Sequence, residues 1–304
     1  MKTKITKLTL KSFVCLIVFF TTLPCFAGFD IWLYPLSFDN NKQIWSIGDG
    51  RAITQNQKYN NQPNFTLSGE ALLFASNKSG NFNDIYSYSI AKQSVTAITN
   101  TPMESEFSPI DTKFGINYVI EQGVPHQSIW HNKDNEARER TINSLIPAGY
   151  FATHESLGTL IWARYAGDLY FEPKGEAANE GHFVVANAGR SLHRIPGENS
   201  FSYLHKQTDG EAVIKRFNPI NLSHTSLVKI TGASQDYAWS NKQWLFNFKS
   251  NNLRTWQYHQ GENNFMNDWK TVENITPPKG YNFASRLAIS PDNNFIAIVW
   301  QTSQ

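Results

Sequence analysis

From about residue 30 onward, short runs of alternating apolar and polar residues are broken by polar turns. Runs of roughly four to eight residues with a two-residue period predict half-buried β-strands. The clearest unit opens at Asn64. Residues 64–67 read as a strand, Ser68-Gly69 as a tight turn and 71–76 as a second strand. Residues 84–90 and 95–99 read as a third and a fourth. Gly69 suits a turn position with positive φ.

The unit returns along the chain. Second-copy strands are expected at 106–109, 116–120 and 128–130, third-copy strands at 149–151, 160–162 and 168–171. The fourth copy has them at 190–192, 201–204 and 212–215, and the fifth at 236–239, 244–246 and 253–258. A sixth copy has only two, at 286–292 and 295–300. The comparable positions Phe65, Phe107, Tyr150, Leu192, Trp239 and Ile289 lie roughly forty to fifty residues apart, the period of a four-stranded propeller blade. The third copy has a longer turn after Phe151 and lacks the Ser-Pro-Asp form found at Ser290-Pro291-Asp292.

The two strands missing from the sixth copy are expected near the other end of the sequence. Residues 30–34 read as a third strand and 43–47 as a fourth, with a turn at Asp39-Asn40-Asn41. The expected fold is therefore all-β: a six-bladed β-propeller of four-stranded antiparallel blades. It is closed by the N-terminal strands completing the C-terminal blade. Closure removes the open edges that a string of sheets would expose. The composition agrees, since 14% of the 304 residues are aromatic and such side chains fit pleated, half-buried surfaces.

Residues 1–27 read as an export signal. Lys2, Lys4, Lys7 and Lys11 precede an apolar stretch at 13–20; Pro24 then breaks it, and small residues surround Ala27-Gly28. A basic front, a short apolar core and a small residue at its end form the secretory pattern, and the stretch is short for a membrane span. Cleavage near Ala27 is expected, leaving residues 28–304 as a single propeller domain in the periplasm or outside the cell, with no membrane span. Cys15 and Cys25 both lie in the removed segment, so the mature chain has no thiol and no disulfide. The formal charge of +2 becomes acidic once the four lysines go, and no basic face for nucleic acid is evident.

Several stretches resemble the TolB-like propeller family. Phe65-Thr66-Leu67-Ser68-Gly69, the Asp84-Ile85-Tyr86 strand and Ile98-Thr99 are similar to its repeat, and Ile289-Ser290-Pro291-Asp292 resembles its turn. Residues 100–109, 189–197, 201–206 and 286–291 resemble an exported, single-domain bacterial subgroup. The resemblance covers roughly residues 30 to 300 and does not include the N-terminal α/β domain of TolB proper. It implies the propeller fold and a general binding role, but no particular partner.

Motifs for catalysis are missing. There is no Gly-x-Ser-x-Gly elbow and no phosphate-binding glycine loop, and His154-Glu155 lacks the second His of a zinc helix. The eight histidines are scattered, so only residues from different blades could form a metal site; no metal, cofactor or catalytic residue is assigned. Asp84 and Asp168, each ahead of a strand, read as turn-forming residues.

Ring geometry still points to one place. The starts of the innermost strands should cluster at the channel mouth, making Asn64, Glu106, Tyr150, Arg190, Asp236 and Arg286 the candidate binding residues. This mixture suits contact with a protein, a peptide or another polar envelope component, with arginine favoured because its planar fork grips carboxylates. A second reading has Glu106 and Asp236 pairing with Arg190 and Arg286 to fix blade packing. The expected function is a non-catalytic binding or scaffold protein of the cell envelope. The alternative is a propeller enzyme, a lyase or hydrolase on a saccharide, with its site at the channel; fold alone does not choose.

Overall fold

A computed structural model describes residues 28–303, except Ser79 and residues 123–125, 133–136, 176–180, 231–233 and 262–267. Both cysteines and the expected signal lie outside the described residues.

Strand β1 (Phe29–Asp39) is followed by β2 (Ile44–Ile47) and the short β3 (Arg51–Ala52). The first complete blade is β4 (Asn60–Phe65), β5 (Ala71–Ser76), β6 (Asp84–Ser89) and β7 (Ser94–Ala97). The second is β8 (Ser105–Thr112), β9 (Gly115–Glu121), β10 (Ser128–Asn132) and β11 (Arg138–Arg140). The third is β12 (Ala148–His154), β13 (Gly158–Ala163), β14 (Leu169–Pro173) and β15 (His182–Val185). The fourth is β16 (Ala188–Arg194), β17 (Phe201–Lys206), β18 (Ala212–Asn218) and β19 (Ser223–Ile230). The fifth is β20 (Tyr237–Trp239), β21 (Trp244–Lys249), β22 (Asn252–Gln257) and β23 (Lys270–Asn274). Within these five sheets each strand pairs antiparallel with the next in sequence, and no helix occurs among the described residues.

The sixth blade closes the ring. Its order is β24 (Tyr281–Ile289), β25 (Phe295–Thr302), β1, β2, with β3 added beside β1. Ile31 pairs with Val299 and Leu33 with Ala297, so the two ends of the described chain share one sheet. Asp30 locks this junction. Its buried carboxylate accepts the Tyr281 hydroxyl at 2.8 Å, the Asn60 amide at 3.0 Å and the Gln57 backbone N–H at 2.9 Å. One side chain thus ties the sixth blade to the first.

Two-residue periodicity explains where the core sits. Along β25, Ile296, Ile298 and Trp300 pack toward the fifth blade, while Ala297 and Val299 pack toward the first. Along β13, Leu160 joins the cluster with the fourth blade and Ile161 the cluster with the second. Each sheet therefore buries both faces, and the apolar core is six wedges between neighbouring blades. Burying one such aliphatic side chain contributes about 1.5–3 kcal/mol, so a wedge far outweighs any single polar contact.

The turns follow their residue chemistry. Asp39 accepts the Asn41 and Lys42 N–H groups with one oxygen, closing the β1–β2 hairpin. Gly69 has φ 75° and Asn293, in the Ser-Pro-Asp turn, has φ 63°. The longer third-blade turn runs from His154 to Gly158, whose φ of 132° and backbone contacts leave no room for a side chain. Asp84 and Asp168 behave as turn residues, accepting the N–H groups of Thr101 and Asn187.

Candidate functional site

Inner strands β4, β8, β12, β16, β20 and β24 surround the axis. Five carry register shifts, at 61/64, 107/110, 148/150, 188/192 and 284/286. Such bulges re-aim side chains, here toward the channel. Gln62 and Ser108 take the left-handed conformation at two of them, and the Ser108 N–H donates to the Gln62 side chain at 2.6 Å, joining the first two blades. Ser191 exchanges hydrogen bonds with the Tyr237 backbone in the same way between the fourth and fifth.

The channel holds two cavities. A chamber of about 560 Å³ opens on the side of the β4–β5 and β24–β25 turns. A wider pit of about 1120 Å³ opens on the other side. Tyr150 and Arg190 line both and so stand at the waist between them.

Of the six residues expected at a mouth, Asn64, Tyr150, Arg190, Asp236 and Arg286 line the chamber together. They come from five different blades. Their position differs from the expectation, because Tyr150 and Arg190 form the waist rather than an outer rim. Glu106 does not join them. It precedes the β8 bulge and is fully buried, accepting the Thr101 hydroxyl at 2.7 Å. Its place on the channel wall is taken by Ser108. Burial pushes the Glu106 carboxyl above the usual carboxylate range, against the pull of Thr99 and Thr101, and Asp84 nearby adds to the rise.

Asp236 sits at the centre of the cluster. One oxygen accepts Arg190 Nη2 at 2.7 Å, and the other lies 3.6 Å from Arg286 Nη1. The expected pairing thus holds for Asp236 and not for Glu106. Arg286 also donates to the Tyr150 hydroxyl at 2.8 Å, with its guanidinium carbon 5.0 Å from the ring centre. The side chains of Asp236 and Arg286 are only 6% and 11% exposed, whereas Arg190 is 40% exposed. Burial alone would lower Arg286, but Asp236 and the phenols of Tyr150 and Tyr59 hold its pKa above the ordinary arginine value. Two guanidiniums share one carboxylate, leaving one net positive charge at the waist.

The chamber also has lining residues outside the six expected at the mouth. Trp239 and Asn241 come from the fifth blade, and Arg194 lines the rim, where it forms no hydrogen bond or ion pair among the described residues. His193 packs against the Tyr237 ring at 4.8 Å; burial pushes its pKa down to about 4, so it is neutral near pH 7. Alternation alone would place 190, 192 and 194 on one face and 191 and 193 on the other. All five nevertheless line the chamber, the β16 register shift ending at Leu192 and residues 192–194 keeping regular pairing with β17. Tyr59, packed between Phe29 and Phe107, lies close enough to feel Arg286 and Arg190, and burial raises its hydroxyl pKa to about 12. Among the described residues, no group of three or more His, Cys, Asp or Glu is placed to hold a metal ion.

No family model and no curated protein matches the sequence. Solved structures do match in fold. A putative TolB from Agrobacterium tumefaciens superposes with a TM-score of 0.63 at 13% identity, covering 91% of this chain and 99% of the other. TolB from Acinetobacter baumannii gives 0.54 at 9% identity over 90% of this chain, which spans only 64% of that protein. An oligogalacturonate lyase from Vibrio parahaemolyticus gives 0.51 at 10% identity, with 91% and 98% covered. At these identities the likeness is one of fold: the chain is a six-bladed β-propeller, similar in fold to these TolB structures.

Proposed function

We propose that this chain is an exported, non-catalytic binding protein of the cell envelope. Its partner is a protein or peptide whose acidic group enters the chamber. The observation that carries this reading is the convergence of Asn64, Tyr150, Arg190, Asp236 and Arg286 on one cavity. Asp236 already neutralises one guanidinium, so a carboxylate arriving from outside meets the surplus charge of Arg190 and, at the rim, Arg194. Charge-assisted, two-pronged hydrogen bonds from arginine are strong and geometrically selective. A TolB-like fold is compatible with such a role, and the absence of catalytic motifs in the sequence points the same way.

Site-directed photo-cross-linking tests this. A photoreactive residue replaces Asn241 in the chamber or, as a control, the exposed Thr225 on an outer strand. Adducts formed in envelope fractions are identified by mass spectrometry. The reading expects a defined adduct from position 241 that disappears with Arg190→Ala and with Arg194→Ala. Adducts arising equally from position 225, or insensitive to both arginine variants, contradict it.

A further inference from the structure

The other end of the channel differs in chemistry. The pit there exceeds the roughly 300–1,000 Å³ of ordinary small-ligand pockets. Its lining contains Arg164, Arg190 and Lys206 and, among the described residues, no Asp or Glu. The acids that hold two of these cations, Glu121 on Arg164 and Asp236 on Arg190, lie outside the lining. Lys206 is exposed, with no hydrogen bond or ion pair of its side chain among the described residues. An acid-free, cation-bearing concavity therefore sits in a domain whose acids outnumber its bases outside residues 1–27. With Arg164 and Arg190 each held by an acid behind the wall, the unpaired charge facing the pit is that of Lys206, which favours anions.

The rest of the lining narrows the ligand class. Side-chain amides are abundant, among them Asn251 and Asn282, and the Asn251 carbonyl oxygen is buried without a partner. Amides donate and accept at once, as adjacent hydroxyl groups require. Tyr165 and Phe283 line the pit yet remain 71% and 45% exposed. They belong to the third and sixth blades, on opposite sides of the ring. What sets these two apart from other exposed side chains is that they line a concavity, where an aromatic ring offers a flat apolar platform. A flat ring with apolar C–H faces and polar edges satisfies both features: its faces lie on the aromatics and its edges meet the amides.

We propose that this pit binds an acidic oligosaccharide, a carboxylate-bearing sugar chain several residues long, laid across the opening from Tyr165 to Phe283. Lys206 and Arg164 would meet its carboxylates, Asn251 and Asn282 its hydroxyls. An acidic peptide uses the cations and the amides, but it has no need of two aromatic platforms on opposite walls. The proposal stands apart from the chamber reading, which uses the other end of the channel.

Calorimetric titration of the full-length chain tests it. The probes are hexasaccharides of hyaluronan and of mannuronate, a neutral chitin hexasaccharide and hexaglutamate. The expected result is binding of at least one carboxylated hexasaccharide, at least tenfold tighter than the neutral sugar or hexaglutamate. Tyr165→Ala and Lys206→Ala, both at exposed positions, should each weaken it about tenfold, while Arg194→Ala in the chamber leaves it unchanged. No binding by either acidic sugar overturns the proposal, as does equal binding of the neutral one. Hexaglutamate binding that matches the sugars and ignores Tyr165→Ala assigns the pit to peptides instead and also overturns it.

Discussion

Arg286 donates a hydrogen bond to the hydroxyl of Tyr150 at 2.8 Å, although the two residues belong to blades on opposite sides of the ring. Such a contact exists only because six blades close around an axis narrow enough to be bridged by two side chains. It divides the channel into chamber and pit, and it holds the Asp236 cluster at the waist between them.

Closure should be sensitive to Asp30. Asp30→Ala removes the acceptor of the Tyr281 hydroxyl and of the Asn56 and Gln57 backbone N–H groups, while the Asn60 amide keeps the Phe29 carbonyl and the Asn56 side chain. Three partly buried donors lose this acceptor, at about 1 kcal/mol each, so the variant should lose about 3 kcal/mol in a urea titration. Asp168→Ala, which releases a single backbone N–H at a partly exposed turn, should lose less than about 1 kcal/mol. Equal losses would mean that Asp30 is an ordinary turn residue.

Glu106 makes stability fall as pH rises. Its folded pKa lies above the ordinary 4.5, so the extra stability is fully present below that value and is lost as pH climbs through the raised one. Glu106→Gln removes the buried charge and should stabilise the protein at pH 7.5 by about 1 kcal/mol or more, with the gain shrinking at pH 4. Tm measured across that range would show it; a variant less stable than the parent at pH 7.5 argues against a buried, raised carboxyl.

His193 acts in the opposite sense. Its pKa is depressed from 6.5 to about 4 in the folded state, so its contribution is present above pH 6.5 and fades as pH falls toward 4. His193→Gln should flatten part of the acid-side drop in Tm. An unchanged acid-side slope would show that His193 protonates as readily in the folded chain as in the unfolded one.

Much of the fold is legible in the sequence, for a physical reason. Inner and middle strands are buried on both faces, and their aromatic and β-branched residues stand out against polar turns; Leu72, Phe74, Leu245 and Phe246 are examples. The outermost strands β11, β15, β19 and β23 were not legible. They lie at the propeller rim, where much of each strand is exposed and no alternation is imposed, as in Lys270–Asn274. Five of the six candidate residues meet in one cavity because each sits near the start or bulge of an inner strand. Glu106 is the exception. The β8 bulge falls just after it, and nothing in Ser105–Thr112 announces where a bulge will fall. Nor does alternation along β16 foretell that adjacent His193 and Arg194 both line the chamber.

A double-mutant cycle on Tyr150→Phe and Arg286→Lys, read by urea unfolding, tests most directly that side chains from opposite blades meet at the waist. The hydrogen bond is charge-assisted and partly buried, so a coupling energy of about 1 kcal/mol is expected. Additive losses, equal within about 0.5 kcal/mol, would contradict the closed ring with a bridged channel on which both binding proposals stand.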